Sequence, residues 1–230
     1  MKRSSVTKQD PIEELVQTSD IRYIAVEGVI GAGKSSLCRM LAETLGARSV
    51  LEKFEDNPFL KDFYKDPERH AFQTQICFLL ARYRQQRDLL QADLFQRHIV
   101  ADYIFEKDKI FAYLNLQDDE LKLYEALINS MEHSIPSPDL VIYLQSTVPR
   151  LMQTIRKRNR EFEAHITEEY VKDLNEAYNY FFFRYKTTPL LIVNAAETDF
   201  LNNEEQYNGL LREVFRQNRA PVEYYNPQRG

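Results

Sequence analysis

The chain has 230 residues, 43% of them hydrophobic, which is enough for one substantial core and makes a single domain the expectation. Its 30 Lys and Arg stand against 35 Asp and Glu, a formal net charge of -5, and so near a balance argues against nucleic acid or an anionic membrane as a partner and favours a small molecule. Two cysteines, Cys38 and Cys77, in apolar helix-like stretches exclude a disulfide scaffold and point to reduced thiols and a cytoplasmic setting, and no stretch approaches the roughly 18 apolar residues of a membrane span.

In chain order, residues 1–20 read as a flexible polar arm. Its opening MKRSSVTKQDP has no apolar signal region, Asp10, Glu13 and Glu14 speak against a transit peptide, and Ile12, Leu15 and Val16 allow one helical turn. The domain is expected over 21–216. YIAVEG is a short apolar run closed by glycine, and SSLCRMLAETLG follows at helical spacing with a stop at Gly46. RSVLEKF reads as a second strand, HIVADYIF as a third, DLVIYLQ as a fourth after Pro136 and Pro138, and PLLIVNA as a fifth. Long amphipathic stretches separate them, and residues 217–230 read as a tail. Short apolar strands with helical crossovers predict an α/β fold: a parallel five-stranded sheet covered by helices on both faces.

Between the first strand and first helix lies GVIGAGKS, Gly28–Ser35, which fits G-x-x-x-x-G-K-[ST] in the strand-to-helix frame a P-loop needs. Gly28, Gly31, Ala32 and Gly33 let backbone N–H groups turn inward around phosphates. Lys34 supplies a cation for the β- and γ-phosphates, the Ser35 hydroxyl is a Mg²⁺ ligand, and Ser36 continues the helix N-terminus. That pattern points to a P-loop kinase fold using ATP. The bland alternative is a glycine-rich turn with a surface lysine.

Two carboxylates end strands, where open α/β sheets hold ligands. Glu52 closes RSVLE and Asp102 lies inside HIVADYIF; if both strands neighbour the P-loop strand, one carboxylate serves as a base and the other as a metal partner. Each alone is more often a solvated strand end. Further on, RLMQTIRKRNREFE, residues 150–163, is an arginine-rich stretch at helical period in which Arg158 and Arg160 suit a lid that closes over ATP. Its alternative is a solvated helix end with ion pairs.

These residues resemble the deoxynucleoside kinases over roughly 21–194. The resemblance starts with VEGVIGAGKSS, places Glu52 as the family's catalytic base, and runs through YKDPERHAFQTQ. It implies that Tyr64 meets the sugar 3′-hydroxyl and that Gln75, eleven residues on, reads the base, with Gln73 as a rival. Seven residues beyond Gln75 stands Arg82, where purine- and cytosine-type kinases carry arginine and thymidine types methionine. Asp108, six residues after Asp102, is the implied partner of that arginine. Two lid registers fit, Arg156/Arg158/Glu161 and Arg158/Arg160/Glu163, and the following Ile166, Glu169 and Tyr170 select Glu163, implied to bind the 3′-hydroxyl together with Tyr64. One departure is plain: the family's Glu-Arg or Asp-Arg at the sheet end is Asp102-Tyr103 here, so an arginine that helps to place the 5′-oxygen and phosphate is missing, and either another arginine substitutes or activity is lowered or altered.

Gln75, Arg82 and Asp108 also make chemical sense by themselves, since an amide grips a base edge bidentately and a guanidinium held by a carboxylate offers it a planar fork. Taken together, the expectation is a deoxynucleoside 5′-kinase that uses ATP and Mg²⁺, favours purines with deoxycytidine possible, and serves nucleotide salvage. The resemblance also implies a homodimer through a helix bundle, for which 67–94 and 118–132 are the candidate helices. The alternatives are a thymidylate-type monophosphate kinase, against which Tyr103 argues, and a kinase-like structural subunit.

Overall fold

The five apolar runs all form strands, in a computed structural model that describes residues 11–90 and 97–227. They are β1 (Tyr23–Glu27), β2 (Arg48–Val50), β3 (Ile99–Ala101), β4 (Leu140–Gln145) and β5 (Leu190–Asn194). A sixth, β6 (Val222–Tyr225), joins the edge, so the sheet has six strands rather than five, in the order β2-β3-β1-β4-β5-β6 with every pairing parallel. β6 lies inside the stretch read as a tail. Two of its four residues are exposed, as suits an edge strand, and no continuous apolar run betrays it. Glu223 holds it in place by accepting from Arg219 Nη1 at 2.6 Å and from Arg216.

The inner strands are buried at nearly every position, β1 at all five, because helices cover both faces. One face carries α5 (Lys107–Asn115), α7 (Val148–Arg158) and α8 (Glu168–Arg184) over an aromatic-rich core in which Tyr143 and Phe182 stack at 4.3 Å. The other carries α2 (Lys34–Leu45) and α9 (Glu204–Val214), packed through Leu37, Leu41, Leu210 and Val214. The arm is more ordered than one turn: α1 (Pro11–Thr18) spans eight residues and lays Ile12, Leu15 and Val16 on that second core. A short α3 (Leu60–Phe63), a long α4 (Pro67–Arg87) and α6 (Asp118–Glu132) complete the fold. Residues 1–10 of the arm, 91–94 of the longer candidate helix and 228–230 of the tail lie outside the described residues.

β1 runs between β3 and β4, so the loop after it opens at the middle of the sheet's C-terminal edge, where open α/β sheets bind ligands. Of the two strands that lead to the carboxylates, β3 pairs with β1 and β2, which leads to Glu52, is one strand further out. The arginine-rich stretch is not one helix. α7 stops at Asn159, whose φ of 46° is left-handed, and a short 3₁₀ turn, Glu161–His165, follows. Asparagine is the residue after glycine that best tolerates that backbone. Arg160 therefore turns back over the sheet edge instead of continuing a solvated helix.

Candidate active site

The loop Gly28–Ser35 joins β1 to α2 as its sequence requires. Gly31 (φ 90°) and Gly33 (φ 95°) are left-handed, a backbone that side chains with a Cβ resist. Gly31 has a second constraint, since a Cβ there meets the Leu151 carbonyl oxygen at 2.8 Å. Gly33 caps α2, and Ser36 and Leu37 donate to its carbonyl, so the helix begins at Lys34 with its first N–H groups toward the loop. Lys34 Nζ donates to the Val29 carbonyl at 3.2 Å. Burial, with the ammonium of Lys107 adding to it, lowers its pKa to about 8. Gly28, Gly31, Ala32, Gly33 and Ser36 shape the loop without lining the cleft beside it, whereas Lys34 and Ser35 line it.

Next to the loop, Ser35 Oγ donates to Asp102 Oδ2 at 2.5 Å, and the other oxygen of Asp102 accepts the Glu52 N–H at 2.7 Å. One carboxylate thus joins β3 to the P-loop helix and fixes the backbone of Glu52, although β2 is not beside β1. The Glu52 side chain reaches two cations. Arg82, on α4, donates from Nε to Oε1 at 2.7 Å and adds a second bond from Nη2, while Lys107 Nζ donates to Oε2 at 2.8 Å. Burial by itself raises the pKa of this carboxyl; Arg82 and Lys107 outweigh burial and hold it far below the ordinary carboxylate range.

Arg82 also pairs with Asp108 through Nη1, and Asp108 is wholly buried. Tyr124 donates to Asp108 Oδ2 at 3.1 Å, and Gln75 donates to the Asp108 carbonyl at 3.0 Å. The three residues read as a base-recognition group are therefore assembled, with two qualifications. Asp108 stands behind the cleft wall rather than on it, and Arg82 is shared with Glu52. The rival Gln73 is turned to His70 and the Arg69 carbonyl and does not line the cleft.

The lid side closes the opposite wall. Arg158 grips Glu163 with two bonds, 2.7 Å from Nε and 2.6 Å from Nη2, and Arg160 lies 3.6 Å from the same carboxylate and over the Phe54 ring. Glu163 is buried, whereas Glu161, the acid of the other register, is exposed and paired with Lys61. Tyr64, Arg158, Arg160 and Glu163 all line one cleft with Lys34, Glu52 and Gln75.

A profile of the family described as "Deoxynucleoside kinase" matches residues 24–218. The chain belongs to the deoxynucleoside kinase family. It is 32% identical to a deoxyguanosine kinase of Bacillus subtilis over 84% of this chain and 95% of that one, and 30% identical to a deoxyadenosine/deoxycytidine kinase of the same organism over 83% and 90%. A solved structure of deoxyadenosine kinase from M. mycoides, with the products dCMP and a flexible dCDP bound, superposes with a TM-score of 0.74 at 28% identity, covering 84% of this chain and 98% of that one. As a member of the family, the chain is an ATP-dependent phosphotransferase acting on deoxynucleosides.

Two buried groups of this deoxynucleoside kinase were not legible as site residues. Lys107 lies five residues after Asp102 and beside Asp108 in a charged run, EKDK, that looks solvated; the turn after β3 carries it inward instead, leaving it 3% exposed. Glu27, the last residue of β1, is fully buried and accepts from the Gly28 N–H at 3.1 Å and the Ile104 N–H at 2.8 Å, stitching the P-loop to that turn. Tyr103, standing where arginine was expected, sends its hydroxyl to Gln85 at 2.7 Å and packs in the core. No described helix is long and apolar enough to cross a membrane, and both cysteines are free thiols.

Proposed function

We propose that this kinase transfers the γ-phosphate of ATP to the 5′-hydroxyl of purine deoxynucleosides, with deoxycytidine as a further acceptor. The observation that supports this reading most is the position of Glu52, in one cleft with the P-loop cation Lys34 on one side and Gln75 and Arg82 on the other. Glu52 takes the proton of the 5′-hydroxyl as its oxygen bonds to the γ-phosphorus; the bond from that phosphorus to the bridging oxygen breaks, and ADP leaves. Lys34, Arg158 and Arg160 face the charge that spreads over the phosphoryl oxygens. Tyr64 and Glu163 receive the 3′-hydroxyl, so that the lid engages only when a sugar is present. Gln75 and Arg82, backed by Asp108, grip the base edge.

The Ser35 hydroxyl and Asp102 carboxylate converge at 2.5 Å, an oxygen pair that suits a hard cation bound through one carboxylate, a hydroxyl and phosphates. Among the described residues there is no cluster of three His, Cys, Asp or Glu, so Ser35 and Asp102 are the residues that would hold Mg²⁺. Bound there, Mg²⁺ would offset the charge of the phosphate oxygens. The purine preference is supported by Arg82 with its carboxylate partner and by the two Bacillus subtilis relatives, which act on deoxyguanosine and on deoxyadenosine and deoxycytidine. A homodimer through α4 and α6 and a cytoplasmic role in nucleotide salvage complete the reading. Leu80 on α4 and Leu123 on α6 are both exposed, and a monomeric mass at micromolar concentration would overturn the dimer.

The test is steady-state phosphorylation of deoxyadenosine, deoxyguanosine, deoxycytidine and thymidine with ATP and Mg²⁺, wild type against Glu52→Gln. Purine turnover that falls at least ~10²-fold in the variant is the expected result. A thymidine preference would overturn the base-reading roles, and turnover of dTMP in place of every nucleoside would overturn the acceptor.

A further inference from the structure

The expected arginine after Asp102 is absent, and its replacement, Tyr103, is occupied elsewhere. Yet the Glu52 carboxylate is not left to Arg82 alone. Its two oxygens are divided: Oε1 takes both bonds from Arg82, and Oε2 takes one from Lys107. The two cations differ in what else they do. Arg82 stands on α4 in line with Gln75 and bonds Asp108, so a base edge entering the cleft competes for its donors. Lys107 comes from the first residue of α5, and Glu52 is the one hydrogen-bond partner found for its ammonium among the described residues.

Lys107 also sits where a rigid support is built. Its backbone N–H donates to the Ile104 carbonyl at 3.3 Å, and the Ile104 N–H is held by Glu27, whose carboxylate binds the first N–H of the P-loop as well. The turn bearing Lys107 is therefore fixed relative to the phosphate loop through one buried carboxylate. The Phe111 ring lies 5.8 Å from the ammonium. A buried ammonium costs free energy unless it is paired, and here the pairing falls on the group that must meet the acceptor hydroxyl.

We propose that Lys107 is a positioning residue for phosphoryl transfer: it holds the Glu52 carboxylate at Oε2 and keeps it aimed when Arg82 turns to the base. The proposal rests on the kinase reading above. It predicts a separation of effects, because Lys107 lies at the reacting end of the cleft and Gln75 and Tyr64 bind the nucleoside elsewhere.

The experiment compares wild type, Lys107→Met and Lys107→Arg with ATP and the best of the four deoxynucleosides, measuring kcat, KM and calorimetric nucleoside affinity. In Lys107→Met, kcat falls ~10²-fold while nucleoside KM and affinity stay within about 3-fold, and Lys107→Arg recovers at least ~10-fold of the lost kcat. Should Lys107→Met lack a cooperative melt, Lys107→Gln takes its place under the same criteria. A kcat within about 3-fold of wild type, a loss confined to KM, or no recovery by arginine would overturn the role of Lys107 and leave the kinase reading standing. Wild type idle on all four deoxynucleosides would overturn both.

Discussion

The two ends of the cleft are built from different materials. At the donor end, one continuous segment does the work: backbone N–H groups of Gly28–Ser35 and the start of α2, with glycine where φ is positive and a single lysine. At the acceptor end, Glu52, Arg82, Lys107 and Asp108 come from the exit of β2, from α4 and from the start of α5, and are joined by buried ion pairs. Backbone recognition tolerates change in every side chain that does not disturb the loop's path. An ion cluster does not, because removing one member leaves another charge buried and unpaired.

That contrast predicts unequal damage. The largest effect is expected at the acceptor end from Arg82→Met, which removes two bonds from Glu52 and strips buried Asp108 of its cation. A loss of roughly 3–5 kcal/mol of stability follows from an orphaned buried charge, read as a lower melting temperature. Purine kcat/KM falls by ~10²-fold or more as the planar fork is lost. Because methionine at this position marks the thymidine types, thymidine gains relative to purines in the same assay. An unchanged melting temperature would show that Asp108 is relieved by another partner and would break the contrast.

Gly31→Ala is expected to do less, and to a different parameter. Its new Cβ meets the Leu151 carbonyl at 2.8 Å on a backbone with φ of 90°, a strain of about 1–3 kcal/mol. The loop shifts, ATP KM rises by ~10-fold, and nucleoside KM stays where it was, since the acceptor end rests on other elements. Equal changes in both Michaelis constants would mean that the two ends are coupled more tightly than their separate construction implies.

The donor end was legible because its chemistry is local. A P-loop needs glycines, a lysine and a serine at fixed spacing between a strand and a helix, and all of these are contiguous in Gly28–Ser35. β1, β3, β4 and β5 were legible for a related reason: a strand covered on both faces is a run of apolar residues. β6 escaped because an edge strand with exposed residues carries no such run, and its clasp, Glu223 with Arg216 and Arg219, reads as ordinary surface charge. The helical period through 150–163 hid a stop at Asn159, where a left-handed residue outweighed the charge pattern.

By itself, then, the sequence determined the α/β sheet and the phosphate loop, and its resemblance to the deoxynucleoside kinases singled out Gln75 and Arg82 on one helix and Arg158, Arg160 and Glu163 at the lid. Each of these depends on residues near one another in the chain, within a helix face or a single turn. Tertiary structure alone decided that Arg82 shares Glu52, that Asp108 stands behind the wall, and that Lys107 pairs with Glu52. Those contacts join residues 26 to 55 positions apart, and burial inverted the reading of a charged run such as EKDK: a lysine that looks solvated in the chain becomes a paired internal charge once α5 packs on the sheet, because the fold sets both the distance between charges and the water that surrounds them.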